Sequence, residues 1–322
     1  MKHLPFHGPI PQGVTRRVAG AVAPRSIGAR VRSVSALAAL ALAALVPGPA
    51  QAGDRLLATW GVSSIDGAAG GGLTPWAVIA GTGSSDQVGG SAYVTHLQTD
   101  GGYDLKIAGA AVGIRDRLEF SMARWSFKLS DVVPGKALEM SVLGAKLRVA
   151  GDAVYDQDRL MPQVSVGVQH KQVDDEALVK ALGARSASGT EVYVAATKLW
   201  LGAAGGLNVL GNATLRMTRA NHFGLVGFGG PGGERWQPRL EASLGLMLRD
   251  DLVLGAEYRD TPNNLQTASP ATAALREDAA YDVFLAWFPC RGASLTAAWV
   301  NLGQIVGKTN QQGLYLSGQL AF

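Results

Sequence analysis

The stretch Arg239-Leu-Glu-Ala-Ser-Leu-Gly-Leu-Met-Leu-Arg249 decides the fold. Leu240, Ala242, Leu244, Leu246 and Leu248 take every second position; Arg239, Glu241, Ser243, Gly245 and Arg249 fall between them, with Met247 the one apolar exception. Successive side chains of a β-strand point to opposite faces, so this segment is a strand with one apolar and one polar face. The same alternation recurs at Val164, Val166 and Val168, and at Leu207, Val209, Ala213, Leu215 and Met217. Two architectures share it. A soluble sandwich turns its apolar faces inward, and a membrane barrel turns them toward lipid.

Both ends of the chain favour the barrel. The last residues place Leu314, Leu316, Gly318, Leu320 and Phe322 on one face and Tyr315, Ser317, Gln319 and Ala321 on the other. This resembles the terminal signature of bacterial outer-membrane barrels, whose final strand ends in Phe. Residues 1–52 carry Lys2, Arg16, Arg17, Arg25, Arg30 and Arg32 without an acid, then the apolar run Val34 to Val46, then Ala50-Gln-Ala52. That is the layout of a secretory signal peptide with a small-x-small cleavage site. The run is shorter than the roughly 20 residues of a membrane-spanning helix.

Charge and composition exclude several classes. Removing the leader takes six of the 29 basic residues and none of the 25 acidic ones, so the mature net charge is −2 and the basic pI belongs to the leader. Nothing then argues for a nucleic-acid partner. With 47% hydrophobic and 17% charged residues the chain is not disordered. Its single Cys cannot build a disulfide framework or a Cys-rich zinc site.

Strands are expected near 88–97, 103–114, 117–127, 139–149, 162–171, 190–201, 207–219, 239–249, 252–259, 281–288, 293–300 and 313–322. An even number with short periplasmic turns and long outer loops is the barrel pattern. The long loops 128–138, 172–189, 220–238, 260–280 and 301–312 all fall on one side. Tyr258, Tyr281 and Trp299 come at outer strand ends and Trp200, Trp287 and Phe322 at inner ends, as two interfacial girdles require. The expected fold is all-β: an antiparallel up-and-down transmembrane barrel of about twelve strands over 88–322. A cleaved leader (1–52) and a Gly-rich segment (53–87) precede it.

That segment reads Gly61-Val-Ser-Ser-Ile-Asp-Gly-Ala-Ala-Gly-Gly-Gly-Leu-Thr-Pro-Trp76, too glycine-rich for a long wall strand. It is expected on the periplasmic side or inside the lumen, with residues 60–76 as a plug; the competing reading makes Leu73 to Gly81 an extra wall strand. Together with Gly151-Asp-Ala-Val-Tyr-Asp-Gln-Asp-Arg159, Ala196-Thr-Lys-Leu199 and Tyr281-Asp-Val-Phe-Leu-Ala-Trp-Phe-Pro289, the run 61–76 resembles a domain-of-unknown-function family of exported bacterial proteins. The resemblance covers essentially the whole mature chain. It implies an outer-membrane-type barrel and carries no activity with it.

By parity the polar face holds Lys146, Arg148, Arg216, Arg239, Glu241, Glu257, Arg259 and Asp282, together with Asp104, Lys106, Glu119, Glu191 and Arg249. Both signs are present, which suits either a wet channel or a salt-bridged filler. Asp152, Asp156 and Asp158 put three carboxylates in seven residues, the oxygen chemistry of a Ca²⁺ site, but the spacing fits no calcium loop and turn capping with pairing to Arg159 is the plainer reading. No metal or cofactor is therefore expected. Of His96, His170 and His222, His170 falls on the apolar parity near the outer leaflet, where a barrel lipid hydrolase would need one, yet no nucleophile motif adjoins it. Gly227-Phe-Gly-Gly-Pro-Gly-Gly233 lies between strands, so it reads as an outer loop rather than a phosphate cradle. Short helices are expected at Asp174 to Leu182 and, with a Ser269 cap, at Pro270 to Arg276.

The expected function is an outer-membrane pore or transport protein for small polar solutes, with membrane lipid as its other partner. A non-conducting barrel presenting its loops, and a lipid-modifying enzyme, are the alternatives.

Overall fold

Alternation along the chain becomes wall. The computed structural model describes residues 55–129, 134–267 and 269–322; the expected leader at 1–52 lies outside them. A two-residue pair, β1 (Val62–Ser63) and β2 (Ala69–Gly70), comes first. Twelve strands follow: β3 (Val88–Thr99), β4 (Asp104–Ile114), β5 (Leu118–Lys128), β6 (Ala137–Ala150), β7 (Gln163–Val173), β8 (Ser188–Ala204), β9 (Leu207–Thr218), β10 (Gln237–Arg249), β11 (Leu252–Arg259), β12 (Ala280–Cys290), β13 (Ala293–Asn301) and β14 (Gln312–Ala321). Each pairs antiparallel with its sequence neighbour, and β14 returns to β3, Leu316 opposite His96, to close the barrel.

Turn chemistry fixes which end is which. Between β8 and β9 the two-residue turn Gly205-Gly206 has φ of 60° and 95°, the both-positive geometry that matches strand twist in tight hairpins. Asp250-Asp251 and Arg291-Gly292 are equally short and lie at the same end, which is periplasmic by the rule that outer-membrane barrels keep short turns there. Connections 129–136, 174–187, 219–236, 260–279 and 302–311 gather at the other, outer end.

Leu244, Leu295 and Leu320 face outward and are 60%, 51% and 65% exposed, part of an apolar belt that only lipid can cover. Outward Tyr258, Tyr281 and Trp299 rim its outer edge, Tyr281 and Trp299 with ring centroids 5.8 Å apart, and Trp200 and Trp287 rim the inner edge. This is a transmembrane β-barrel of outer-membrane type.

One expectation fails on β4. Asp104 and Lys106 face outward, because Leu105 and Ile107 are the buried residues there. On the outer half of β3 to β6 the interior is not aqueous: inward Leu97, Trp125, Phe127, Leu138 and Met140 pack on Ile65 and Leu73 and on Val179, Leu225 and Val226 of the outer loops. An apolar filling inverts the wall's pattern, and His96, Lys106, Arg124 and Ser126 are left on the outside. Helix α1 (Glu176–Ala181) is capped by Asp175, which accepts from Leu178 N–H at 3.0 Å. A 3-10 turn occupies Pro270–Leu275, but Ser269 makes no side-chain cap there, so that expected cap is absent.

Candidate functional site

The Gly-rich segment enters and leaves the barrel at its periplasmic rim. Arg55 clasps the two ends together: its guanidinium donates to Ile79 O at 2.7 Å and Gly81 O at 3.3 Å and pairs with Asp116 of the β4–β5 turn at 3.2 Å. In between, the chain rises into the lumen as a hairpin, with Val62 opposite Gly70, and every residue from Trp60 to Gly83 is buried. Leu73 to Gly81 lies inside with it, so the segment is a plug and not a further wall strand.

A plug made of irregular backbone must find partners for its N–H and C=O groups. The polar wall supplies them. Glu119 accepts from Ala69 N–H at 3.2 Å and Ala80 N–H at 2.8 Å. Glu257 accepts from Leu73 N–H and the Thr74 hydroxyl, both at 2.7 Å. Gln163 and Ser165 donate to Ala77 O at 2.7 and 2.6 Å, Thr214 to Pro75 O at 2.9 Å, and Lys146 to Ala69 O and Trp76 O at 3.0 and 3.2 Å. Such close approach explains the glycines. A Cβ on Gly71 would sit 2.1 Å from Glu257 Oε1, and Gly67 turns the hairpin with φ of +96°.

At that turn Asp66 meets the wall's charges. Its carboxylate lies 2.8 Å from Arg259, 2.9 Å from Lys171 and 3.7 Å from Arg216. Glu191 pairs with Lys171 at 2.8 Å and Arg216 at 3.3 Å, and Glu241 with Arg216 at 2.5 Å and Arg259 at 3.4 Å. Three acids therefore balance three bases, all of them buried. The arithmetic closes only with the plug in place: without Asp66 the wall keeps three cations and two anions.

Of the eight charged positions expected to face the lumen, Lys146, Arg216, Glu241, Glu257 and Arg259 meet the plug or its ion cluster. Asp282 is buried opposite Glu257 on the neighbouring strand. Arg148 sits at the periplasmic rim and pairs with Asp116 and with Asp152 at 2.7 Å; Arg239 sits at the outer rim, 3.1 Å from Asp260. Asp152 caps a turn, accepting from Val154 and Tyr155 N–H at 2.8 and 2.7 Å. Burial opposes its charge, but those N–H groups and Arg148 hold its carboxyl below the ordinary range. Asp158 is exposed, and Asp156 lies 3.9 Å from exposed Arg159. Among the described residues no group of His, Cys, Asp and Glu is arranged to hold a metal.

Sequence reasoning passed over Asp66 and Lys171. Lys171 shares the parity of Ser165 and Gln169, and Asp66 is the one charged residue between Arg55 and Asp86, a signal for a buried partner. Lys198, on the outward parity, is buried instead by its bonds to the carbonyls of Asp152, Asp156 and Met161, which pin the 151–162 connection to β8.

Several solved outer-membrane proteins align with the chain at low identity. Acinetobacter baumannii Omp33 aligns with 7% identity and a TM-score of 0.42, over 74% of this chain and 100% of its own. The NanC porin aligns with 10% identity and a TM-score of 0.46, over 72% and 98%. Escherichia coli outer membrane phospholipase A aligns with 10% identity and a TM-score of 0.37, over 72% and 95%. No curated protein matches the chain. Residues 59–319, from the plug to the last strand, match the family described as "Protein of unknown function (DUF3034)", and the chain belongs to that family.

Proposed function

We propose that the protein, exported by a cleaved leader over residues 1–52, is an outer-membrane transport barrel for small polar solutes, held shut by its own N-terminal plug. The observation that carries this reading is where the wall's hydrogen bonds end. Glu119, Lys146, Ser165, Thr214 and Glu257 reach plug backbone. Withdrawal of this plug toward the periplasm, where both its ends already lie, leaves a polar lining for a hydrated solute.

The charged lumen residues then act as the latch seat, and the membrane supplies the lipid partner. Of the histidines, His170 bonds Thr190 at 3.0 Å and His96 bonds Asp104 at 3.0 Å. Planar-bilayer recording of the refolded protein tests the reading. The intact chain is expected to stay closed for most of the record, and deletion of residues 60–76 to give sustained conductance from a barrel that remains heat-modifiable. A deleted barrel that folds but does not conduct would favour the loop-presenting structural role.

A further inference from the structure

Above the plug tip, between it and the outer loops, lies a partly enclosed cavity of about 80 Å³. Its lining is apolar almost throughout, with Trp125 and Phe127 from the wall and Phe223 and Val226 from the 219–236 loop. His222 is the polar exception. It lines the cavity, and its Nε2 is shielded from solvent without a hydrogen-bond partner. A buried nitrogen left unpaired carries its full desolvation cost, so a ligand that hydrogen-bonds it recovers that cost.

The backbone that presents this histidine is strained. His222 and Phe223 have φ of 44° and 61°, the left-handed region that favours glycine. Three contacts hold them there. Glu277 accepts from His222 N–H at 2.6 Å, Lys171 donates to Phe223 O at 3.0 Å, and the Arg259 guanidinium lies 4.6 Å from the Phe223 ring centre. Strain maintained by surrounding contacts is a mark of a preorganised site.

A lone water suits this cavity poorly, because a buried water needs two to four polar partners and His222 Nε2 is the one unpaired side-chain atom of the lining. We propose that the cavity binds a small, mainly apolar molecule with a single hydroxyl, of the size of phenol, its ring against Trp125 and Phe127 and its hydroxyl on His222 Nε2. An engineered apolar cavity of roughly 150 Å³ accepts benzene. This one is smaller, so the ligand requires Leu178 and Leu182, which line it from the six-residue α1 and its C-terminal cap, to move outward on binding.

The test uses the refolded full-length protein in detergent, titrated with phenol and with benzene while tryptophan emission and the thermal midpoint are followed. Phenol should bind saturably and about ten-fold more tightly than benzene, the worth of one hydrogen bond. Trp125→Phe should remove the emission change, His222→Leu should abolish the preference for phenol, and Val226→Phe should block both ligands. If Val226→Phe does not fold, Leu225→Phe fills the same space. Equal affinity for the two ligands, or responses that persist in the filled variants, would overturn the proposal, the second because it would place the ligand in the micelle. The outcome does not depend on whether the barrel conducts.

Discussion

Asp66 of the plug lies 2.8 Å from Arg259 of the wall, and its second oxygen 2.9 Å from Lys171, so one carboxylate joins the segment to two strands that are not neighbours. Removing one member of a buried ion pair typically costs about 3–5 kcal/mol, because the partners stay buried and uncompensated. Asp66→Asn is therefore expected to loosen the plug by an amount of that order while the hydrogen-bonded wall persists. Bilayer recording should show more frequent opening, and protease should cut the plug faster. A variant as closed and as protected as the parent would mean the cluster is not the latch.

Leu244→Arg and Ser243→Arg should fail differently although they are adjacent. Leu244 faces lipid, and a charge near the bilayer centre costs roughly 2–4 kcal/mol, read as loss of the heat-modifiable barrel. Ser243 is buried against the plug, bonded to Thr74 at 2.6 Å, Trp76 at 2.9 Å and Glu257 at 2.8 Å. An arginine there should expel the plug and leave the wall folded.

Lys106→Leu should be neutral or mildly stabilising toward thermal unfolding, because Lys106 points outward and the interior at β4 is apolar. Leu105→Lys puts a charge into that interior and should prevent assembly. Equal tolerance of the two would contradict the inverted wall of β3 to β6.

The outer cap should respond to acid in two opposed ways. Burial pushes the His222 imidazole down to about 4 from an ordinary 6.5, so the folded cap refuses a proton that the unfolded cap accepts, and stability from this group falls as pH drops from 6.5 to 4. Burial pushes the Glu277 carboxyl well up, against the pull of the His222 N–H and Arg239. Its contribution is fully present below its ordinary 4.5 and is lost as pH rises through its folded value. Above pH 4.5 the two slopes oppose each other. Glu277→Gln should leave a cap that loses up to roughly 2–3 kcal/mol by pH 4, and His222→Gln a cap that weakens as pH rises, both measurable by hydrogen exchange of residues 220–226. Matching pH profiles in the two variants would refute this assignment.

Deleting Phe322 should impair closure of the barrel. Its N–H donates to Gly90 O at 2.9 Å, and its carbonyl accepts from Gly90 N–H at 2.8 Å and from Thr82 N–H at 3.1 Å, so one residue joins the β14–β3 seam to the end of the plug. Reduced yield of heat-modifiable protein is expected; full yield would assign the seam to the upstream pairs alone.

Sequence by itself determined the wall. Alternation at 239–249 and 314–322, the turn positions and the outward aromatics specify strand count and order and, outside β4, the lipid face, because a strand's two faces are set by local backbone geometry whatever lies beyond them. What fills the interior was decided only by the tertiary structure. Parity assigns Lys106 and Leu105 to opposite faces, but which face is inside at β4 depends on the apolar loops and plug tip that meet there, contributed by residues far away in the chain. The same holds for Asp66. A lone acid between Arg55 and Asp86 is visible in the sequence, yet its three partners come from β7, β9 and β11, and only closure of the barrel brings Lys171, Arg216 and Arg259 around one point.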